Sequence, residues 1–389
     1  MEIRERRLSP RARRALPLIV AAVLAGAGAS VAYLHPTLRQ PAKAAGPSVL
    51  PDDYQATYSF ITPSLGWALV AETTSATPRF SVFRTTDAAG HWKGQLTRRL
   101  NTISLAPAQI RFFDADHGLI ALGDPAELYR TSDGGTHWAL VKTPAYFYSS
   151  LVSGDALHAW FLGWSGPPAQ SVTNLFSTSD GGDRWTPLPQ SSAWARATGG
   201  YGHANFAFRN ATEGWFGALA AEPTVYFSAD AGTSWEPRVL PSLCIQSSPL
   251  GPQRLVTTAV GLLPGRGVVA FANGGCGNSE GYTSFDGGIS WRSVSSPPGS
   301  TTYSDFVYQD SSHWWAMRFG ALWKSSDAGH SWKLVSQQKD GGEYVPHVVD
   351  ANHAWAEVFG PAPGHSGAGL AVTSDGGAHW TPVSTPRPA

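Results

Sequence analysis

The chain has 389 residues, well beyond the ~150 of an ordinary domain, so either several domains or one repeat-built domain is required. Only 14% of residues are charged, with 28 bases against 28 acids, which excludes the basic footprint of a nucleic-acid binder. A hydrophobic share of 42% with 16 Trp excludes a mostly disordered chain, and 42 Gly with 29 Pro point to many turns and short strands.

Taken in chain order, residues 1–14 carry Arg4, Arg6, Arg7, Arg11, Arg13 and Arg14 against Glu2 and Glu5. Residues 15–34 follow without a charge, a length that lets a helix cross the ~30 Å hydrocarbon core. Bases ahead of the span hold the N-terminus in the cytoplasm and send the rest outside. The expected organisation is a basic cytoplasmic tail (1–14), a transmembrane signal-anchor (15–34), a Pro/Ala-rich linker (35–51) and an exported domain (52–389). The alternative is a cleaved signal peptide, with the small residues 25–30 or Ala42-Lys43-Ala44 as the cleavage site and a secreted product. Without residues 1–44 the chain keeps 20 bases and 26 acids, so it has no electrostatic reason to seek phosphate backbones or anionic lipid. Cys244 and Cys276 are the only cysteines, and in an oxidising compartment they are expected to form one disulfide, with two buried thiols as the alternative.

From residue 85 onward one pattern recurs seven times: TTDAAGHW (85–92), TSDGGTHW (131–138), TSDGGDRW (178–185), SADAGTSW (228–235), SFDGGISW (284–291), SSDAGHSW (325–332) and TSDGGAHW (373–380). Each reads Ser/Thr-x-Asp-x-Gly-x-x-Trp, except that Ala89 replaces the glycine in the first copy. The aspartates are Asp87, Asp133, Asp180, Asp230, Asp286, Asp327 and Asp375, at spacings of 46, 47, 50, 56, 41 and 48. A period near 48 suits four short strands with their turns, one blade of a propeller. A weaker motif precedes the boxes: an apolar run, a polar turn, then a small residue and Trp, as in Phe60 to Trp67, Phe208 to Trp215 and Val348 to Trp355. The predicted unit is strand A, turn, strand B, connection, strand C, box, strand D. The predicted fold class is all-β, a seven-bladed β-propeller behind one N-terminal transmembrane helix. The Asp accepts N–H groups within its own turn, the Gly supplies a positive φ, and the Trp packs between sheets.

These segments resemble the Asp-box (BNR) repeats of bacterial neuraminidases over residues 50–389. The apolar–turn–Gly-Trp motif followed by a box also resembles exported photosystem II stability/assembly factor-like proteins, which implies a seven-bladed propeller. Sialidase chemistry would need three Arg on a substrate carboxylate, a Tyr–Glu pair and an acid Asp, with a Phe/Tyr-Arg-Ile-Pro segment near the first blade. This chain has only Phe83-Arg84-Thr85-Thr86, which runs straight into a box.

The seven box aspartates have a structural explanation and cannot converge on one site. Four A–B turns carry Asp-x-x-His: Asp114/His117, Asp155/His158, Asp310/His313 and Asp350/His353. One pair per blade around a ring reads as capped turns, so no metal and no cofactor are expected. A glycosidase needs two facing carboxyls ~5–9.5 Å apart, and no local spacing selects a pair, although Asp305 and Glu343 are candidates.

Box and A–B turns share one face, and the D–A and B–C connections emerge on the other. Those connections hold Tyr146, Tyr148, Trp194, Arg196, Tyr201, His203, Tyr303, Asp305, Glu343 and Tyr344, aromatic and charged residues of the kind that build interfaces. The expected function is a non-catalytic envelope scaffold: a monomeric propeller, held at a bacterial cell membrane, binding a protein or peptide through this loop face. The alternative is a carbohydrate-active propeller, a lectin or a glycoside hydrolase.

Overall fold

The computed structural model describes residues 54–72, 78–99, 104–124, 127–142, 148–165, 172–188, 205–220, 222–241, 256–273, 280–295, 297, 306–318, 320–339, 342–359 and 369–387. The expected membrane anchor, the linker, Cys244 and Cys276 lie outside them. No helix among the described residues is long and apolar enough to cross a membrane.

The described chain is all-β and forms seven antiparallel sheets in succession. Blade 1 is β1 (Tyr54–Phe60), β2 (Gly66–Glu72), β3 (Arg79–Thr85) and β4 (Lys93–Arg99). Blade 2 is β5 (Ser104–Phe112), β6 (His117–Asp124), β7 (Glu127–Ser132) and β8 (Ala139–Val141). Blade 3 is β9 (Tyr148–Ser153), β10 (Ala159–Ser165), β11 (Val172–Thr178) and β12 (Thr186–Pro187). Blade 4 is β13 (Phe206–Phe208), β14 (Gly214–Gly217), β16 (Thr224–Ser228) and β17 (Glu236–Val239), with β15 (Leu219–Ala220) branching off between β14 and β16. Blade 5 is β18 (Val256–Leu262), β19 (Val268–Asn273), β20 (Glu280–Ser284) and β21 (Arg292–Val294). Blade 6 is β22 (Phe306–Tyr308), β23 (Trp314–Arg318), β24 (Ala321–Ser325) and β25 (Lys333–Gln337). Blade 7 is β26 (Glu343–Val348), β27 (Ala354–Phe359), β28 (Gly369–Thr373) and β29 (Thr381–Val383).

First strands of neighbouring blades touch, β1 with β5, β5 with β9, β9 with β13 and β13 with β18, so strand A lines the axis. Among the described residues the strands of each blade follow one another along the chain, β15 apart, and no strand is exchanged between the two ends of the ring. Among the described residues one strand crosses between blades: β15 leaves blade 4 and pairs with β18 of blade 5. Gly217 allows this approach, since a Cβ there would fall 2.2 Å from the Thr258 carbonyl oxygen.

The core is seven separate clusters, one at each blade interface. A sheet with two apolar faces cannot bury either alone, so each blade depends on its neighbours. The same joint recurs where the sequence supplies it. The indole of strand B in one blade stacks on the Phe that ends strand A of the next: Trp67 on Phe112 at 3.5 Å, Trp160 on Phe208 at 3.6 Å. Phe60 of blade 1 stacks on Trp355 of blade 7 at 3.6 Å, so the closing seam uses the same contact. This explains the small residue before the Trp. The Phe ring of the same blade lies over it, and a Cβ on Gly66 or Gly214 would sit 2.0 or 2.4 Å from Phe60 or Phe208.

The box is also an interface element. Its Trp packs into the cluster shared with the preceding blade, as Trp138, Trp185 and Trp235 do. Across the seam, Trp92 Nε1 donates to Ser384 O at 3.0 Å. The box glycine lies close against the preceding blade: a Cβ on Gly182, at φ +93°, would reach 2.7 Å from Leu119. Ala89 takes that position at φ 61° and faces Trp355 and Leu370 across the seam.

Inside each box turn the hydroxyl is the centre. Thr131 Oγ1 donates to Asp133 Oδ1 at 3.0 Å and accepts the buried Gly135 N–H at 2.9 Å. Asp133 Oδ1 then accepts the His137 N–H at 2.9 Å. The same three contacts recur in all seven copies, as in Thr85–Asp87 and Ser325–Asp327. The next residue ties the box to its own A–B turn: Gly134 N–H to Asp116 O at 2.9 Å and Ala88 N–H to Ser64 O at 3.1 Å. Box and A–B turns therefore share one end of the ring. Replacing Thr131 by Val leaves the Gly135 N–H buried and unpaired, and is expected to cost about 1–3 kcal/mol. Thr131→Ser should recover most of it in chemical denaturation; equal midpoints for Thr131→Val and wild type would refute the role of the hydroxyl.

Candidate functional site

The repeated polar residues are consumed within their own turns. In the A–B turns Asp114 Oδ1 accepts the N–H of Asp116 and His117, and the His117 ring Nδ1 lies 2.9 Å from Oδ2. Asp155/His158, Asp310/His313 and Asp350/His353 repeat this geometry. In the boxes, the backbone and ring of His137 together hold the Asp133 carboxyl down at about 2. Among the described residues no three His, Cys, Asp or Glu side chains converge as metal ligands.

The expected loop-face residues divide as follows. Tyr146, Trp194, Arg196, Tyr201, His203, Tyr303 and Asp305 lie outside the described residues. Tyr148 is the first residue of β9. Glu343 is exposed at the start of β26. Tyr344 does not belong to a loop face. It is 4% exposed, packs with Trp315 and Met317, and meets Trp380 edge-on at 5.9 Å. The alternation of β26 turns Tyr344 toward blade 6 and into the interface core.

Within the described residues, a concave site forms at the axis, where the strand A segments end beside the box turns. Its cavity of about 650 Å³ is lined by Arg111 and Phe113 of blade 2, Asp155 of blade 3, Val307 of blade 6, and Val345 and His347 of blade 7. Inner-strand edges leave backbone N–H groups without a ladder partner, and side chains of the adjacent blade take them up. Ser59 Oγ accepts the Phe112 N–H at 2.9 Å, Gln109 Oε1 accepts the Leu151 N–H at 3.0 Å, and Asn205 Oδ1 accepts the Val260 N–H at 2.8 Å. These bonds fix the walls of the channel.

Arg111, His347, Glu357 and Tyr58 gather around this cavity and the adjoining seam. Arg111 and His347 both keep solvent-exposed surface at the cavity, while surrounding protein crowds them. Burial lowers the Arg111 guanidinium from its usual range. Burial, and then the charge of Arg111, push the His347 imidazole down to about 4. Burial pushes the Glu357 carboxyl up to about 7, against a bond from the Tyr58 N–H. Burial and then Glu357 raise the Tyr58 phenol, whose hydroxyl is buried without a hydrogen-bond partner among the described residues. His347 Nε2 and Glu357 Oε1 stand 3.9 Å apart, an ion-pair distance. Both groups nevertheless move toward their neutral forms, so near pH 7 they do not form a full ion pair.

Three of these residues had a readable signal. On strand A every side chain turns toward one neighbouring blade or the other, so a charge flanked by core residues is an anomaly. Arg111 stands between Ile110 and Phe112, and His347 between Pro346 and Val348. Glu357 interrupts the apolar run Ala354-Trp355-Ala356 of strand B. Only the ring closure brings them together.

No family model and no curated protein matches the chain. Among solved structures it is similar to YCF48 bound to a D1 peptide, with a TM-score of 0.53 and 18% identity over 85% of this chain and 99% of that one. It is similar to YCF48 from Cyanidioschyzon merolae, with a TM-score of 0.51 and 18% identity over 74% of this chain and 88% of that one. A structure from a study of two prolyl endopeptidases gives a TM-score of 0.55 at 10% identity, over 85% of this chain and only 50% of that longer enzyme. At these identities the likeness is one of fold: a seven-bladed propeller.

The buried carboxyl makes stability pH-dependent. The folded state holds Glu357 near 7, above its ordinary value of 4.5, so it favours the protonated form. That stabilisation is full below pH 4.5 and is lost as pH rises through 7, a change of roughly 3 kcal/mol. His347 works in the opposite sense, and its cost appears only as pH falls from 6.5 toward 4. Glu357→Gln is therefore expected to melt above wild type at pH 8, with a gap about half as large at pH 5.5. Scanning calorimetry at the two pH values checks it, and a gap that does not change with pH counts against the assignment.

Proposed function

We propose that this protein is a non-catalytic binding scaffold of the cell envelope, in which the propeller presents a loop face to a protein or peptide partner. The observation that carries the reading is the fate of the repeated polar groups. Box Asp and A–B turn Asp/His pairs satisfy one another inside their turns, so the repeats build a rigid ring rather than a reaction centre. The likeness to YCF48, whose structure holds a D1 peptide, supports this kind of role. The repeats themselves are read as Asp boxes of the neuraminidase type. The partner face is the D–A and B–C end, which carries Tyr148, Trp194 and Arg196 in this reading. Residues 15–34 anchor the chain, with residues 1–14 in the cytoplasm and the ring outside.

Affinity capture of the tagged full-length chain from detergent-solubilised envelope tests the scaffold. A stoichiometric protein, lost when Tyr148, Trp194 and Arg196 are changed to Ala, is the expected result. A glycan retained in its place would overturn the scaffold in favour of a carbohydrate-active propeller. Topology has its own test: protease added to intact spheroplasts should digest the ring and leave an N-terminal tag membrane-bound and protected. Release of the ring into the medium without protease would establish cleavage instead.

A further inference from the structure

Four of the seven boxes place a glycine directly after the aspartate: Asp133-Gly134, Asp180-Gly181, Asp286-Gly287 and Asp375-Gly376. In an Asp-Gly pair no Cβ shields the backbone nitrogen from the neighbouring carboxyl, so this dipeptide is the one most open to intramolecular attack. The four glycines share one conformation, at φ +68°, +69°, +76° and +72°. The four carboxylates share one set of bonds, to the hydroxyl two residues earlier and the N–H four residues later. Neither conformation nor carboxylate bonding separates them.

The glycine N–H does. Gly134 donates to Asp116 O at 2.9 Å, Gly181 to Leu157 O at 2.9 Å and Gly376 to Asn352 O at 2.8 Å. The three boxes with Ala in this place make the same bond, from Ala88, Ala231 and Ala328 to Ser64, Thr212 and Ser312. The Gly287 N–H has no acceptor among the described residues, although Arg238 Nε donates to its carbonyl at 3.0 Å. The reason lies in the A–B turn of blade 5, Leu263-Pro264-Gly265-Arg266-Gly267, which lacks the Asp or Asn cap. It is held from the side instead: the Arg209 guanidinium of blade 4 donates to the carbonyls of Leu263, Gly265 and Gly267. The surroundings differ in the same sense. A Cβ on Gly134 would fall 2.9 Å from Ala115 O, one on Gly376 2.9 Å from Lys324 Nζ and one on Gly181 3.5 Å from Ala156 O, whereas nothing lies within 4 Å of one on Gly287.

We propose that Asp286-Gly287 is the box at which this protein undergoes spontaneous isomerisation to isoaspartate, while the A–B turn bond protects the equivalent pairs of blades 2, 3 and 7. The protonated Asp286 carboxyl and the Gly287 N–H lose one water as the N–Cγ bond forms and a Cγ–O bond breaks, which closes a cyclic imide. A second water opens the ring at the original Asp286 carbonyl. The chain then continues through Cγ, and the old main-chain carbonyl becomes a free carboxylate. Bonds from Ser284, Ile289 and Ser290 keep the native carboxylate ionised, so the reaction passes through brief openings of the turn. Opening the blade 5 box breaks one backbone bond fewer. Isomerisation adds a methylene to the main chain beside Gly288, which packs against Trp215 and Arg238, so the lesion loosens the joint between blades 4 and 5. The inference rests on the box turns alone and stands independently of the scaffold reading.

Full-length protein in detergent, aged for weeks at mildly acidic pH, is digested and scored box by box with electron-transfer fragmentation, which separates isoaspartate from aspartate at equal mass. Asp340-Gly341 and Asn273-Gly274 are scored apart. Isoaspartate at 286 should exceed that at 133, 180 and 375 by about tenfold, the worth of one backbone hydrogen bond. Chain aged in urea should convert at all four at similar rates. Gly287→Ala should slow conversion at 286 by about tenfold or more, because a Cβ then shields the nitrogen. The fold accepts that variant, since Ala88, Ala231 and Ala328 hold the same place at φ 58°, 62° and 57°. Amide hydrogen exchange gives a second reading: the Gly287 N–H should exchange about tenfold faster than those of Gly134, Gly181 and Gly376. Equal conversion at the four native boxes, faster conversion at another box, a Gly287 N–H as protected as the other three, or undiminished conversion in folded Gly287→Ala would each overturn the proposal.

Discussion

The joint on which this ring depends is an indole lying flat on a phenyl ring across a blade boundary. Trp67 on Phe112, Trp160 on Phe208 and Trp355 on Phe60 are nearly coplanar, with interplanar angles of 5°, 2° and 5°. The rings lie almost face to face, and aromatic pairs add about 0.5–1.5 kcal/mol beyond the area they bury. The contact also sets a requirement on sequence. The Phe must sit over a residue with little or no side chain, which is why Gly66 and Gly214 precede their tryptophans. One geometric demand thus accounts for the small residue, the Trp, and the Phe six positions before the glycine. It also accounts for a ring that closes through side chains alone.

The box serves the same joint from the other side. Its Trp enters the cluster shared with the preceding blade, and its glycine lies so close to that blade that an added Cβ would crowd it, a position Ala89 fills in the first copy. The polar part of the turn keeps this arrangement rigid. A hydroxyl at the centre bonds both the carboxylate and a buried N–H, so the carboxylate is oriented by the residue two positions earlier. Depressed carboxyls in the boxes follow from those bonds and carry no sign of catalysis. The same principle separates the channel residues from the turns. Arg111, His347 and Glu357 are perturbed mainly by burial, and local bonds do not account for them.

Much of this architecture was legible before any coordinates. The Asp spacing implied blades, and antiparallel logic put the A–B turns beside the boxes, as the Gly134 to Asp116 bond shows. The role of the Ser/Thr hydroxyl is not legible there, because a sequence does not reveal which oxygen faces the buried N–H. Tyr344 was misplaced for a similar reason: a tyrosine near a loop end looks like an interface residue until the strand begins one position earlier. The channel cluster was the hardest to see. Arg111 and Glu357 are 246 positions apart in sequence, and no local pattern connects strand A of blade 2 with strand B of blade 7. Only closure of the ring brings them to one axis.

Because the four main strands of each blade follow one another along the chain and the seam repeats the ordinary joint, the order in which the blades are read along the chain is not fixed by the architecture. A gene joined end to end and reopened between two other blades would encode the same seven interfaces. The boundary between blades 4 and 5 is the most forgiving place to open it. There β15 pairs with β18, and Thr258 exchanges bonds with Ala218, so backbone pairing as well as side-chain packing would hold the new ends together.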